Sequence, residues 1–171
     1  YYGDVTFLRL ARGLFGRALY WTGCYYYDGL LLDCAPPATA EAVLAFVEER
    51  PLAGLVLSHH HEDHTGGAAT LLARRGIPAQ IHADGVARVR DGFEQQLYRR
   101  VAWGRQPRVT LAALAAEFEG QRERFEVHHT PGHSPDHVCL FVPRHGLLFT
   151  GDLFLAERLR FLRRDEDLVG L

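Results

Sequence analysis

Apolar and polar positions alternate with two different periods along this chain, and each change of period marks a new element. Val5 to Leu10 and the aromatic-rich Ala18 to Tyr27 read as strands, followed by Asp28-Gly29 and the short run Leu30-Leu31-Leu32. An Asp-Gly pair between strand-like runs signals a hairpin, because both residues tolerate the positive φ that a tight turn demands. After Pro36-Pro37 the period lengthens. Val43, Leu44, Phe46 and Val47 form the stripe of a helix, with Thr39 as its candidate N-cap. Gly54 to Ser58 is a short apolar strand; Gly66-Gly67 then opens a second helix through Leu71 and Leu72 to Arg75, stopped by Gly76. Pro78 to His82, Phe125 to Thr130, Val138 to Val142 and Gly146 to Thr150 supply further strands.

Residues 84–120 break this rhythm: they are more polar, helix-prone and without a clear strand. Phe93, Leu97, Tyr98 and Val101 fall at helical spacing. That predicts a stripe packing a helical insert onto the body, with a substrate-contacting lid as the alternative. Strands interspersed with helices indicate a layered α/β fold. A length of 171 residues fits one domain, 1–171, with a core of useful size.

Composition narrows the classes. Nineteen basic against 21 acidic residues leave a net charge of −2, so charge does not indicate a nucleic-acid partner. Cys24, Cys34 and Cys139 are odd in number and lack metal-finger spacing, which fits free thiols in a reducing compartment. No apolar run reaches membrane-spanning length and no signal pattern opens the chain, so a cytoplasmic protein without membrane association is expected. The absence of Lys, Asn and Met, which share AT-rich codons, suggests a GC-rich bacterial source. Oligomeric state is not legible.

The densest chemistry lies in His59-His60-His61-Glu62-Asp63-His64, between Leu55-Val56-Leu57 and Thr65-Gly66-Gly67. Its mid-chain position and the interruption by Glu62 and Asp63 argue against an expression tag. Each of these side chains costs free energy to desolvate unless it is paired or metal-bound, and nitrogen and oxygen donors of this kind suit a divalent transition ion, zinc first. Two later strand ends carry matching groups. His133 lies in Thr130-Pro131-Gly132-His133-Ser134-Pro135-Asp136-His137, and Asp152 follows Gly151.

Together with Asp33 at an earlier strand end, these motifs resemble the metallo-β-lactamase-fold hydrolases, most closely the glyoxalase II-like and related thioesterase or nuclease branches. The resemblance runs from about Tyr2 to Asp152. It implies an α/β fold of the αβ/βα sandwich type, two mixed sheets with outer helices. It implies His59, His61 and His133 as ligands of a first metal, Asp63 and His64 as ligands of a second, and Asp152 bridging both. Asp63 also takes a catalytic role, orienting the nucleophile. Asp33 is expected to orient the histidine loop by hydrogen bonding, and His137 to be structural. Asp136 stands where the family has a small residue, and His60 and Glu62 are expected to face outward or support the loop. The family supplies one more histidine well beyond the bridging Asp, whereas residues 153–171 contain none and His145 is a poor substitute. The final strand and helix are therefore expected to be missing here, leaving the second ion's ligands incomplete.

The implied cofactor is Zn2+, two ions in the intact protein, with iron or manganese as alternatives. Two such ions can share a water, lower its pKa toward neutrality and present hydroxide to an electrophile. The expected reaction is hydrolysis of a thioester or ester of a small-molecule substrate. Ser58 and Ser134 are the only serines, and neither has a nucleophile-elbow context. Alternatives are a phosphodiesterase or ribonuclease of the same fold, a mononuclear-iron persulfide dioxygenase, and a non-catalytic protein on this scaffold. Arg158, Arg160, Arg163 and Arg164 could attract an anionic substrate, but Glu157, Asp165, Glu166 and Asp167 interleave with them, which favours a solvated salt-bridge face.

Overall fold

The turn at Asp28-Gly29 sets the first sheet in motion: φ is 50° and 73° at the two residues, the geometry that folds one strand directly back on another. The computed structural model describes residues 3–154. Strands β1 (Thr6–Leu14) and β2 (Arg17–Tyr27) pair antiparallel, and β2 pairs with β3 (Leu30–Leu32) across that turn. Strands β4 (Gly54–Leu57), β5 (Ala79–Ile81) and β6 (Ala112–Ala113) then join in parallel, giving the order β1-β2-β3-β4-β5-β6. A second sheet, antiparallel throughout, comprises β7 (Glu117–Glu119), β8 (Arg124–His129), β9 (Val138–Val142) and β10 (Leu147–Phe149) in the order β10-β9-β8-β7. The helices are α1 (Ala40–Glu48), α2 (Glu62–Thr65), α3 (Ala68–Arg75), α4 (Ala83–Asp91) and α5 (Leu97–Trp103).

The uninterrupted apolar runs of β3 and β4 follow from burial on both faces. Leu31, Leu55 and Leu57 point into one cluster with Val43 and Val47 of α1, Leu71 of α3 and Val89 of α4. Their neighbours Leu30, Leu32 and Val56 point into the other, against Phe125, Val138, Leu140 and Phe149 of the second sheet. Central strands thus carry two cores, and their C-terminal ends emerge between them. The histidine loop begins there.

Several local expectations need correction. Thr39 stands at the N-cap of α1, but its hydroxyl bonds the Pro36 carbonyl (3.2 Å) and caps no helix N–H. Residues 84–120 hold two short strands, β6 and β7, besides α4 and α5. Strand β7 is only three residues long, and what holds it is a cross-strand pair: Phe118 stacks on Phe125, centroids 4.9 Å apart. The predicted packing stripe on α5 points the wrong way. Leu97, Tyr98 and Val101 are 75%, 53% and 52% exposed, whereas Arg99, Ala102 and Trp103 are buried. Phe93 alone of that set reaches the body, edge-on to the His60 ring.

Behind the histidine loop the backbone packs closely. A Cβ at Gly67 would sit 2.4 Å from the Cys34 carbonyl oxygen, and the Gly67 N–H bonds the Ala35 carbonyl at 3.1 Å. Gly67→Ala is therefore expected to cost about 1–3 kcal/mol, the usual range for overpacking. Urea unfolding should show a lower midpoint at unchanged slope. A midpoint equal to that of the unmutated protein would show that this approach is not constrained.

Candidate metal centre

Asp33 organises the site. It sits just past β3 at a positive φ of 61°, a conformation Asp tolerates better than most residues. Its Oδ1 accepts the Ser58 N–H (2.8 Å), and its Oδ2 accepts the Ser58 hydroxyl (2.9 Å) and lies 2.8 Å from His64 Nδ1. The end of β4 and the far end of the histidine loop are thereby tied to one carboxylate. The Cys34 N–H reinforces this by bonding the His64 carbonyl (2.8 Å).

Those bonds fix tautomers. The Ser58 hydroxyl gives its proton to Asp33, so at 3.0 Å it must accept from His59 Nδ1–H. His59 Nε2 is then left as a lone pair, 2.8 Å from His61 Nδ1, which in turn lies 3.0 Å from His133 Nε2. His64 donates from Nδ1 to Asp33, leaving Nε2 toward Asp152 Oδ1 at 3.2 Å and Asp63 Oδ2 at 3.9 Å. Asp152 Oδ2 meets His133 Nε2 at 3.4 Å, so one carboxylate spans both sides of the cluster. Donor atoms of His59, His61 and His133 lie within 4.8 Å of one another, as do those of His59, His64 and Asp152. Asp63 falls in neither group; it stands beside the second, with Oδ1 held by Arg99.

His137 is placed differently. Its Nε2 accepts the Asp152 N–H (3.1 Å), so Nδ1 donates to the Thr130 hydroxyl (2.8 Å), and both ring nitrogens are used within the protein. Gly151 makes room for this contact: its φ is 49° and a Cβ there would lie 2.7 Å from His137 Nε2.

Electrostatics match this arrangement. Burial, helped by neighbouring imidazoles, holds His59 well below its ordinary pKa, so it is neutral and able to ligate. Burial likewise, with His133, lowers His137 to about 4. For His64 burial pulls down, but Asp152 and Asp33 outweigh it and raise the pKa well above the usual histidine value. Asp152 is the mirror case: burial would raise it, and His64 and His133 bring it far below the ordinary carboxylate range. Burial raises Asp63 despite His64 and Arg99. Converging imidazole lone pairs beside carboxylates repel one another unless a cation lies between them, and the donor set fits a divalent transition ion.

The cluster opens onto a cleft of about 420 Å3, where Asp63, His64 and Asp152 meet Phe7, Trp21 and Tyr25 of the β1–β2 ribbon. Arg9 lines the same wall, its guanidinium 4.3 Å over the Trp21 ring. His145 lies elsewhere, 3.1 Å from Glu123 beside a separate cavity of about 520 Å3.

A family model of the metallo-beta-lactamase superfamily matches residues 24–168. The chain belongs to that superfamily. Among its members, a hydroxyacylglutathione hydrolase of Chromohalobacter salexigens is 32% identical over 70% of this chain and 41% of its own length. A thioesterase of Emericella nidulans is 30% identical over 71% of this chain and 30% of its own length. The solved B3 metallo-beta-lactamase BLEG-1 shares the fold, with a TM-score of 0.68, 23% identity, and coverage of 96% of this chain and 81% of that one. This chain spans less than half the length of the hydroxyacylglutathione hydrolases that it matches.

His60 and Glu62 support the loop, the second of the two roles expected of them, and do not face outward: both are buried. Their partners escaped sequence reasoning. His60 Nδ1 pairs with Asp136 Oδ1 at 2.6 Å, joining the two histidine-bearing loops, which gives Asp136 its partner. Glu62 pairs with Arg99, a residue that nothing in the spacing of α5 distinguished. The arginine cluster at Arg158–Arg164 lies outside the described residues. For the site as a whole, His61→Ala is expected to lower metal affinity by more than the about 10–100-fold typical of losing an outer partner. Far-UV circular dichroism should stay native, and metal analysis after dialysis gives the readout. Unchanged stoichiometry would remove His61 from the ligand set.

Proposed function

We propose that this chain forms the metal-holding part of a hydrolase that cleaves thioester or ester bonds in a small-molecule substrate. The observation that carries this reading is the convergence of His59, His61 and His133, joined through Asp152 to His64. In this reading His59, His61 and His133 would hold one ion, Asp63 and His64 a second, with Asp152 between them. Zinc suits a set of imidazoles and carboxylates without thiolate, and Cys24, Cys34 and Cys139 are buried free thiols that stand in neither donor group. When bound, such ions lower the pKa of water toward neutrality and polarise a carbonyl oxygen.

The rest is work for the chain's own side chains. His59 stays neutral and presents Nε2 because Ser58 and Asp33 take its other nitrogen. Asp63 borders the cleft beside Asp152 and can orient a nucleophilic water positioned there. Phe7, Trp21 and Tyr25 offer an apolar wall for an acyl group, and Arg9 a cation for an anionic carrier. Thioester chemistry is supported by the names of the relatives, hydroxyacylglutathione hydrolase and thioesterase. No helix among the described residues is long and apolar enough to cross a membrane; with three free thiols, a cytoplasmic setting fits.

The test combines metal analysis of protein purified without added metal with a panel of thioesters, esters and phosphodiesters. The expected result is thioester turnover that falls at least about 10³-fold on chelation, equivalent to about 4 kcal/mol in barrier, and returns with zinc. Turnover indifferent to chelation would overturn the reading. So would a single bound iron accompanied by oxygen uptake.

A further inference from the structure

Helix α5 buries one of its two arginines and exposes its leucine. Arg99 is 5% exposed while Leu97 is 75% exposed, the reverse of what an amphipathic surface helix does. Ala102 and Trp103 turn inward on the same face, so their packing and the ion pairs of Arg99 together set a rotation that leaves Leu97 outside. Its Nε donates to Glu62 Oε1 and its Nη2 to Asp63 Oδ1 at 3.0 Å, while the guanidinium lies 4.5 Å over the Trp103 ring. Glu62 is 1% exposed. One planar fork therefore holds both acidic residues of α2, and only a guanidinium has donors spaced to do so.

We propose that Arg99 is a positioning residue for the metal centre: by holding Asp63 Oδ1, it aims Asp63 Oδ2 into the cleft toward the second ion. This rests on the two-ion reading above. A carboxylate has a broad, two-fold torsion at its last bond, and helix α2 is a single turn with little rigidity of its own. Within hydrogen-bonding distance the side chain of Asp63 has one partner among the described residues, Arg99; His64 Nε2 is 3.9 Å from Oδ2. With Oδ1 occupied, Oδ2 is left on the side of the cleft where His64 and Asp152 also stand. Ligating carboxylates commonly depend on such an outer hydrogen bond. Through Arg99, the segment 84–120 reaches the metal centre without supplying a ligand.

The experiment must separate aiming from charge balance, because Arg99→Met alone would strand a buried Glu62. The double variant Arg99→Met/Glu62→Gln removes both halves of that pair, and Glu62→Gln alone keeps Arg99 on Asp63. Metal-free protein is titrated with zinc against a competing chelator, and cobalt(II) spectra count the sites. The expected outcome is a second-ion affinity about 10–100-fold weaker in the double variant, the range seen for lost outer partners. First-ion affinity and far-UV spectrum should be unchanged, and Glu62→Gln should bind both ions as the unmutated protein does. Arg99→Lys, which keeps the charge but reaches one carboxylate, should fall between. A double variant that binds the second ion normally would overturn the role of Arg99 and leave the two-ion reading standing. Loss of both ions together would mark Arg99 as merely structural. Unmutated protein that takes up no second ion would overturn both.

Discussion

One carboxylate that accepts three hydrogen bonds underlies the geometry of this site. Asp33 leaves β3 in a left-handed conformation and receives the backbone and hydroxyl of Ser58 and the ring of His64. Its effect propagates by tautomer. Ser58, committed to Asp33, must accept from His59, and His59 must then turn an unprotonated nitrogen inward. His64 is held at Nδ1 in the same way, so two histidines on opposite ends of one loop aim Nε2 at one space. Ligand orientation is thus imposed from behind. The parallel strands β3 and β4 make it possible, since their register sets Leu32 beside Val56 and brings both chain ends out together.

Much of this was legible in the sequence because it depends on local patterns. The double-sided apolar runs, the Asp28-Gly29 turn and Gly76 at a φ of 61° each follow from a few adjacent residues. The histidine loop was legible for the same reason, whereas the pairing of its chemistry with His133 and Asp152 was legible through the resemblance carried by motifs in a fixed order. What was not legible depends on partners distant in the chain. Strand β7 has three residues and exists through Phe125. His60 and Asp136 are 76 positions apart and Glu62 and Arg99 are 37 apart, so neither pair has a local signature. The orientation of α5 failed for a physical reason. Spacing arguments assume that apolar burial alone turns a helix, and here a buried ion pair of Arg99 acts with Trp103 against Leu97, Tyr98 and Val101.

Charge balance joins these observations. Among the described residues, the carboxylates touching the two ligand groups or Arg99 are Asp33, Glu62, Asp63 and Asp152. Among the described residues, Arg99 is the one guanidinium that reaches them. With the histidines neutral, a net of three negative charges is left at a largely buried rim, and desolvated charge of that size is not tolerated without compensation. Without metal, part of the compensation falls to His64, whose pKa Asp152 and Asp33 raise against burial. Two divalent ions together with one anionic ligand would neutralise the rim outright, with every histidine in its neutral, ligating form. One divalent ion at His59, His61 and His133 would leave a single negative charge, which His64, with no ion of its own to ligate, would balance as a cation. Charge balance therefore ties the protonation of His64 to the number of ions held, and Arg99 enters the sum by cancelling the charge of Glu62.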